Sequence, residues 1–467
     1  MEHRRYDVGA EIDRRPIGIQ QWLLFALCGL VILLDGFDIQ VVSFTAPLLA
    51  DHLGSKVSSL GMVFASGLIG LTVGSLLVGP IADRFGRKRL LQFSCVMFGM
   101  FTALTPYANT WTMMLAIRFC AGIGLGGCIP NALALVAEYS PQRTRARAVA
   151  ITVSATPLGA VIGGIVCWAV IPHLGWRVVY WIGGGVPLIL SIVLGIALPE
   201  SIRFMVTAGY DSRFIAKLLT RIAPDFSYED GGTFVGASSA NPGTVQRGGS
   251  IRLLFSGGRA QSTLLLWVPY FMVFLISFLI SSWLPSVLKE AGLPLTQAMS
   301  ALIMFNIGGV VGAVILGKLV DLYGVYRILI CAFIVCALSV AALGFVTHVY
   351  NGILPIIFMT GICVQGTICT LYALASDIYP TVVRVTGIGW AAAMGRFGAI
   401  FGPLIGGAML QAQWSLRGVF AAAAIPALIS IVALLRLSFL RHRESAVSRM
   451  PAGTASLGDA AKSLHHP

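Results

Sequence analysis

Residues 79–88 read GPIADRFGRK, and a weaker copy of this charged, glycine-bearing stretch, GKLVDLYG, follows at residues 317–324. A second pair of similar stretches, EYSP at 138–141 and DIYP at 377–380, is separated by nearly the same interval, about 239 positions. Features that recur at one fixed interval are typical of an internal duplication. The sequence therefore predicts two homologous halves.

Long apolar runs surround these charged stretches. Of the 467 residues, 57% are hydrophobic and only 11% are charged, and the mean hydropathy is +0.85. Twelve runs between Trp22 and about Leu440 are long enough to cross a hydrocarbon layer of roughly 30 Å. This composition excludes a water-soluble protein and predicts an all-α membrane protein of twelve transmembrane helices in two six-helix bundles.

The boundaries of the parts follow from composition. We expect an N-terminal tail (1–21), a six-helix bundle (22–198), a linker (199–262), a second six-helix bundle (263–440) and a C-terminal tail (441–467). The linker has a Gly/Ser-rich middle, so we expect it not to pack, apart from a short helix around residues 213–221. The mixed charges of the first 21 residues do not resemble a cleaved signal peptide.

Lysine and arginine are distributed unevenly among the predicted loops. With a cytoplasmic N-terminus, the outer loops hold only four of the 32 basic residues, namely Lys56, Arg177, Lys289 and Arg417. Arg118 and Arg396 lie inside predicted helices, so the remaining 26 lie on the inner side. The positive-inside rule therefore predicts a multi-pass protein of the bacterial inner membrane with both termini in the cytoplasm. It also accounts for the net charge of +13 without nucleic-acid binding.

Only two of the 19 acidic residues, Asp35 and Asp38, lie well within a predicted span. Their spacing of three residues places both on one face of helix 1. A carboxylate in the membrane is costly unless it is paired, protonated or facing a wet cavity, so both are candidates for proton coupling. The alternative is a structural pair that is hydrogen-bonded to neighbouring helices.

Arg118 in helix 4 and Arg396 in helix 11 are the two intramembrane cations, one in each half. Arg118 opens the glycine-rich stretch RFCAGIGLGGCIP at 118–130, where small residues let another helix approach closely. A guanidinium matches a carboxylate with paired donors. Each arginine is therefore predicted either to contact an anionic substrate or to pair with Asp35 or Asp38.

Two halves joined by a cytoplasmic linker, together with the stretch at 79–88, resemble the major facilitator superfamily. Its members bind substrate between the halves, near the middle of the membrane. In helix 1, LDGFD at 34–38 resembles the DGxD motif of the aromatic acid:proton symporters. That family also has charged residues at the positions of Arg118, Glu138, Arg384 and Arg396.

The resemblance implies that the charged stretches form a conformational gate. The gate residues would be Gly79, Asp83, Arg84, Gly86, Arg87, Glu138, Asp321 and Arg384. Gly86 would permit a tight turn, and Asp83 would face the positive N-terminus of a helix in the other half. We expect Arg87 to pair with Glu138 at the end of helix 4; the alternative is that these charges set the membrane topology alone.

The resemblance further implies import of a small aromatic carboxylate together with a proton, by a monomer without a cofactor. An aromatic ring needs apolar and aromatic walls. Candidates are Tyr270, Phe274, Tyr372 and Trp390, with Asn306 and Gln365 for ring hydroxyls. Aromatic residues in membrane helices also serve packing and anchoring, which is the alternative for these four.

Three other functions fit parts of this pattern. A carrier of sugars, or of organic anions other than aromatic carboxylates, would have the same fold. A sugar carrier, however, does not require Asp35, Arg118 and Arg396 together in the membrane. A proton-antiport exporter typically has a Gly-Pro motif in helix 5, where this chain has TPLG at 156–159. A membrane enzyme or a sensor is disfavoured because the predicted spans contain no nucleophile–base pair, metal cluster or phosphate-binding loop.

Overall fold

The structure is a computed structural model that describes residues 5–222, 226, 228, 232–235, 251–256, 259–346, 350–380 and 383–448. Within these residues, twelve helices are long and apolar enough to cross a membrane, as predicted. Helices 1 to 6 span Ile19–His52, Leu60–Phe85, Arg87–Leu104, Trp111–Tyr139, Gln142–Leu174 and Trp176–Ala197. Helices 7 to 12 span Ala260–Glu290, Leu295–Tyr323, Val325–Val346, Tyr350–Ile378, Arg384–Gln411 and Leu416–Ser448.

Helix 5 is interrupted at Ser154, between the segments Gln142–Val153 and Ala155–Leu174. Pro157 follows closely, and proline removes a backbone donor in the first turn of the second segment. Helix 12 continues to Ser448, past the end predicted near residue 440. The remainder of the predicted C-terminal tail lies outside the described residues.

Glycines let the helices within each half approach closely. A Cβ at Gly74 of helix 2 would overlap the backbone of Ile123 in helix 4, and one at Gly122 would overlap the backbone of helix 2. Helices 8 and 10 repeat the arrangement, since Gly312 and Gly361 each lie against the other helix's backbone. Without a hydrophobic driving force between helices in lipid, such small residues provide the packing that holds a bundle together.

Different segments lie at the two ends of the helix bundle. The terminal face carries the N-terminal tail and the linker, and the far face carries the loops 53–56 and 291–294. The halves touch through helices 1 and 7, 2 and 11, and 5 and 8. Toward the far face, Trp283 donates to the carbonyl of Pro403 at 3.0 Å, and its ring meets Phe64 edge-on.

The expectation that the linker does not pack is wrong for the part that the structure describes. Residues Thr233–Val235 pair in parallel with Arg5–Asp7 of the N-terminal tail. The predicted linker helix is present at Ser212–Ile222 and buries Ile215, Ala216 and Leu219. The composition of the linker does not indicate this packing, because the partners lie in the N-terminal tail. The tail supplies the second strand, and its Tyr6 contacts Phe226 and Phe234 of the linker. Residues 236–250 lie outside the described residues.

Candidate functional site

Asp38 and Arg118 form an ion pair in the interior of the first half. Arg118 Nη2 lies 2.7 Å from Asp38 Oδ2, and Nη1 lies 3.5 Å from Oδ1. Both side chains are buried, with relative exposures of 5% and 1%. Of the two alternatives for Arg118, pairing with a helix 1 carboxylate is therefore present in this conformation. Removing either partner would leave an uncompensated buried charge.

Neighbouring helices hold this pair in place. The hydroxyl of Thr102 in helix 3 donates to Asp38 Oδ1 at 2.6 Å. Tyr180 of helix 6 lies near Arg118, and its hydroxyl is 2.7 Å from that of Thr45 in helix 1. All of these groups belong to the first half. A rigid-body motion of the halves would therefore leave the pair intact.

Asp35 is fully buried, and neither of its oxygens has a hydrogen-bond partner among the described residues. The adjacent Gly36 packs against the backbone of Thr156 in helix 5, so helix 1 is held tightly at this level. An ionised carboxylate without a partner is costly in such a site. Asp35 therefore differs from Asp38, one turn away, in having no direct partner for its carboxyl group among the described residues.

Arg396 of the second half lies opposite Asp35. It donates to the hydroxyl of Ser75 in helix 2, and it is close enough to Asp35 and Tyr372 to interact with them electrostatically. Arg396 forms no ion pair with an acidic residue in the part of the chain that is described. Of the two alternatives for Arg396, an ion pair with Asp35 or Asp38 is absent from this conformation, and Arg396 instead bonds to a hydroxyl across the contact between the halves.

A small cavity lies beside Arg118, between helices 1, 2, 4 and 7. Its volume of about 40 Å³ leaves room for a few water molecules. Gln40, Ser43, Ser281 and Ser282 contribute its polar side chains, and the last two come from the second half. The buried cation is therefore accompanied by hydroxyl and amide groups from both sides of the contact.

The predicted ring-contacting residues fall into three places. Tyr270 and Tyr372 meet edge-on at 5.6 Å, and Phe274 packs against Gly395 next to Arg396. Trp390 stacks on Trp267. Asn306 is bound to Gln40 of the other half at 3.2 Å, whereas Gln365 packs against Gly309. Tyr372 is thus near Arg396, Tyr270 contacts Tyr372, and Phe274 packs at the adjacent Gly395, whereas Trp390, Asn306 and Gln365 have other partners.

The predicted pairing of Arg87 with Glu138 is confirmed. Glu138 also accepts a bond from the hydroxyl of Ser201 at the start of the linker, at 2.6 Å. Gly86 has φ +94°, which confirms the predicted tight turn, and a Cβ there would collide with Glu200. Gly324 repeats this conformation with φ +87°.

The expected contact of Asp83 with the other half is absent from this conformation. Asp83 is exposed and has no hydrogen-bond or ion-pair partner among the described residues. Arg84 lies over the ring of Phe85, Gly79 has open space around it, and Asp321 is exposed. Arg384 donates to the carbonyl of Tyr379 at 3.3 Å. Along helix 2 the described contacts with the second half run from Gly61 to Ser75, and Asp83 lies beyond them, near the end of the helix.

A sequence model described as Major Facilitator Superfamily matches residues 28–269 and, separately, residues 266–464. The two matches correspond to the two halves. The chain belongs to the major facilitator superfamily. The predicted fold and the resemblance to its aromatic acid transporters are confirmed, and the chain is a multi-pass membrane transporter and not an enzyme.

Several relatives within the superfamily carry aromatic acids. The chain is 34% identical to the 4-hydroxybenzoate transporter PcaK of Pseudomonas aeruginosa, over 94% of this chain and 98% of the relative. It is 35% identical to a gallate transporter of Pseudomonas putida, over 95% and 98% of the two chains. The benzoate transport protein of Acinetobacter baylyi is 30% identical, over 93% of each chain.

Two solved structures of major facilitators share the fold. A bacterial homologue of the human lysosomal transporter Spinster, titled as inward-facing and unoccupied, matches with a TM-score of 0.69 and 14% identity. The match covers 94% of this chain and 100% of that one. A D-xylose–proton symporter matches with a TM-score of 0.66 and 18% identity, over 88% and 96%. At these identities the likeness concerns the fold alone.

Sequence reasoning missed the small polar residues around the two intramembrane arginines. Thr102, Ser75, Ser43, Ser281 and Ser282 all lie within or beside it. Serine and threonine are common packing residues in membrane helices, so composition does not distinguish them. The one available signal was the pair Ser281 and Ser282, two adjacent hydroxyls within an apolar run of helix 7.

Proposed function

We propose that this transporter imports a small aromatic carboxylate together with a proton by alternating access. The proposal rests on two carboxyl groups of helix 1, Asp35 and Asp38, and on Arg118 of helix 4, which reaches Asp38. One carboxylate is paired with a buried guanidinium, and the other is buried without a hydrogen-bond partner. A cation of the opposite half interacts with the unpartnered carboxylate. The relatives that transport 4-hydroxybenzoate, gallate and benzoate support an aromatic acid as the substrate.

Arg118 is assigned to the substrate carboxylate. Arg118 lines the cavity between the halves, and its guanidinium pairs with Asp38. Asp38 fixes the orientation of the guanidinium and offsets its charge in the absence of substrate. An arriving carboxylate would bind the N–H groups of the guanidinium that Asp38 does not use.

Asp35 is assigned as the proton carrier. It is the carboxyl group that lacks an ionic partner, and protonation removes the cost of its burial. Carrying an anion inward against a negative-inside potential costs about 2.3 kcal/mol per charge and 100 mV. One co-transported proton cancels that charge, so accumulation then depends on the proton gradient.

Arg396 and the surrounding aromatic residues are assigned to the substrate ring and to the transition between states. Tyr372 interacts with Arg396, Tyr270 meets Tyr372 edge-on, and Phe274 packs against Gly395, the neighbour of Arg396. When the halves rock, the bond from Arg396 to Ser75 crosses the moving contact and has to break. Arg396 would then be available to Asp35 or to the substrate.

The far face is closed in this conformation by Trp283, Pro403 and Gly61. With both termini in the cytoplasm of a bacterial cell, this is the state closed to the outside. Formation of the opposite state would bring Asp83 toward the second half, while Arg87 and Glu138 remain together in the first half. The transporter would work as a monomer, since one chain contains both halves.

Uptake into proteoliposomes tests the proposal. The full chain is reconstituted, and uptake of labelled benzoate and 4-hydroxybenzoate is followed with and without an inwardly directed proton gradient. Accumulation above equilibrium only with the inward gradient is the expected result. Equilibration without accumulation would indicate a facilitator, and accumulation only with an outward gradient would indicate an exporter. Absence of transport for both acids would remove the aromatic carboxylate from the proposal.

A further inference from the structure

A cleft of about 460 Å³ lies on the terminal face, apart from the transport site. The start of helix 1, the end of helix 6 and the linker helix Ser212–Ile222 form its walls. Nothing in the transport cycle described above uses this cleft. Its size is within the range of small-ligand sites.

The linker helix has two different faces. Ile215, Ala216 and Leu219 are buried against the protein. Phe214, Lys217, Leu218 and Arg221 recur at intervals of three and four residues, share the other face and line the cleft. The cleft side of the helix therefore combines apolar groups with two cations.

The charges of the cleft are unbalanced. Lys217 and Arg221 are exposed, four residues apart, and neither has an ion-pair partner among the described residues. Like charges at this spacing disfavour the helix. Glu200, the acidic residue of the cleft, already accepts bonds from the backbone amides of Lys88 and Ser201, each at 2.9 Å. The Lys88 ammonium lies in the same cleft and donates to the carbonyl of Gly195 at 2.8 Å.

The cleft lies at the level where the helices enter the membrane. Helix 1 begins at Ile19 and helix 6 ends at Ala197, so its walls are the first and last turns of two spans. Ile19 and Ile196 are each 84% exposed, and Trp22 and Phe214 are 54% and 63% exposed. Exposed aromatic and aliphatic groups beside cations are typical of the boundary between headgroups and acyl chains.

We propose that this cleft binds the headgroup of one anionic phospholipid, with Lys217 and Arg221 contacting the phosphate and Ile196 and Leu23 contacting the acyl chains. The two cations match an anionic headgroup, and the position of the cleft at the ends of two membrane spans matches a lipid. A soluble anion would contact the cations but not the exposed apolar residues at the edge of the cleft. The bound lipid would hold the linker helix against helices 1 and 6. The positive-inside rule does not explain the cleft, because it concerns the number of basic residues on the cytoplasmic side and not their arrangement around a cleft.

Native mass spectrometry of the delipidated full chain tests the proposal. The protein is titrated with phosphatidylglycerol, with phosphatidylcholine of the same acyl chains, and with glycerol 3-phosphate. The variant Lys217→Gln/Arg221→Gln removes both cations, and Lys217→Arg/Arg221→Lys keeps them. Arg147→Gln/Lys318→Gln is the matched control, since it removes two exposed charges of the terminal face outside the cleft.

We expect one phosphatidylglycerol to bind to the wild type at least about tenfold more tightly than phosphatidylcholine. The Gln/Gln variant should lose this preference, and the charge-conserving variant and the matched control should keep it. Equal loss in the matched control would reduce the effect to general electrostatics and overturn the proposal. Displacement of the lipid by millimolar glycerol 3-phosphate would also overturn it, since the site would then recognise a soluble phosphate.

Discussion

The two intramembrane arginines occupy opposite kinds of environment. Arg118 is buried in an ion pair with Asp38, and every group that holds it belongs to the first half. Arg396 is half-buried, bonds to a neutral hydroxyl across the contact between the halves, and faces Asp35 without bonding to it. The charge of Arg118 is neutralised by a carboxylate of the same half, whereas Arg396 has only a hydrogen bond to a hydroxyl of the other half.

This difference separates structural from conformational roles. Interactions within one half survive a rigid-body motion, so the Asp38–Arg118 pair can preserve a substrate site through the whole cycle. Interactions across the halves are made and broken in each cycle, so Asp35 and Arg396 can report which state is occupied. The two helix 1 carboxylates, although one turn apart, should therefore respond differently to the same substitution.

Asp38→Asn should have the largest effect on stability. It leaves the buried guanidinium of Arg118 without its counter-charge, which costs roughly 3–5 kcal/mol. We expect a clear fall in the unfolding temperature of the purified protein and loss of transport. The double variant Asp38→Leu/Arg118→Leu removes both charges, so it should regain stability but not substrate binding. An unchanged unfolding temperature in Asp38→Asn would contradict the structural role of the pair.

Asp35→Asn should leave stability nearly unchanged but remove coupling. The amide resembles the protonated carboxyl, and it places no charge in a site that offers no direct partner among the described residues. Gradient-driven accumulation in proteoliposomes should disappear, whereas exchange of labelled for unlabelled acid at equal pH should continue. If the variant still accumulates substrate with normal pH dependence, Asp35 is not the coupling residue and Asp38 becomes the next candidate.

Arg118→Lys should weaken substrate binding without unfolding the protein. Lysine can still neutralise Asp38, but it loses the planar pair of donors that a second carboxylate needs. Loss of one charge-assisted hydrogen bond corresponds to about 1.5–3 kcal/mol, or roughly a ten- to hundredfold rise in Kd. Binding of labelled 4-hydroxybenzoate to the purified variant measures this, with the unfolding temperature as the control. An unchanged Kd would remove Arg118 from direct substrate contact.

Much of this organisation could be predicted from the sequence. Charges are so costly in lipid that Asp35, Asp38, Arg118 and Arg396 were identifiable from their positions in apolar runs alone. The sequence did not decide which carboxylate pairs with Arg118. Spacing of three residues places both acids on one face, and the choice depends on how helices 3 and 4 cross helix 1, which brings Thr102 to Asp38.

The packed part of the linker was also beyond sequence reasoning. Its Gly/Ser-rich composition indicated an unpacked segment, and its partner strand lies at the opposite end of the first half in sequence. Such a non-local pairing leaves no periodic signal in the linker itself. The helix around residues 213–221 was predicted, and the structure shows it at Ser212–Ile222, but the sequence did not indicate what its buried side packs against.

The smallest expected effect concerns the contact that moves. Ser75→Ala removes the acceptor of Arg396, and loss of this half-buried bond corresponds to about 1 kcal/mol, or roughly a fivefold shift toward the state that is open at the far face. Ser66→Ala is a matched control, because among the described residues Ser66 bonds only to the carbonyl of Val63 in its own helix. Ser58 lies beside Gly407 where the halves meet at the far face, so a Ser58→Cys probe reports opening through its alkylation rate.

With the exposed Cys331 and Cys369 replaced by serine, alkylation should accelerate by about fivefold in Ser75→Ala and remain unchanged in Ser66→Ala. Equal rates in the two variants would mean that Arg396 does not stabilise the closed far face, and its assignment to the conformational transition would fail while that of Arg118 would stand.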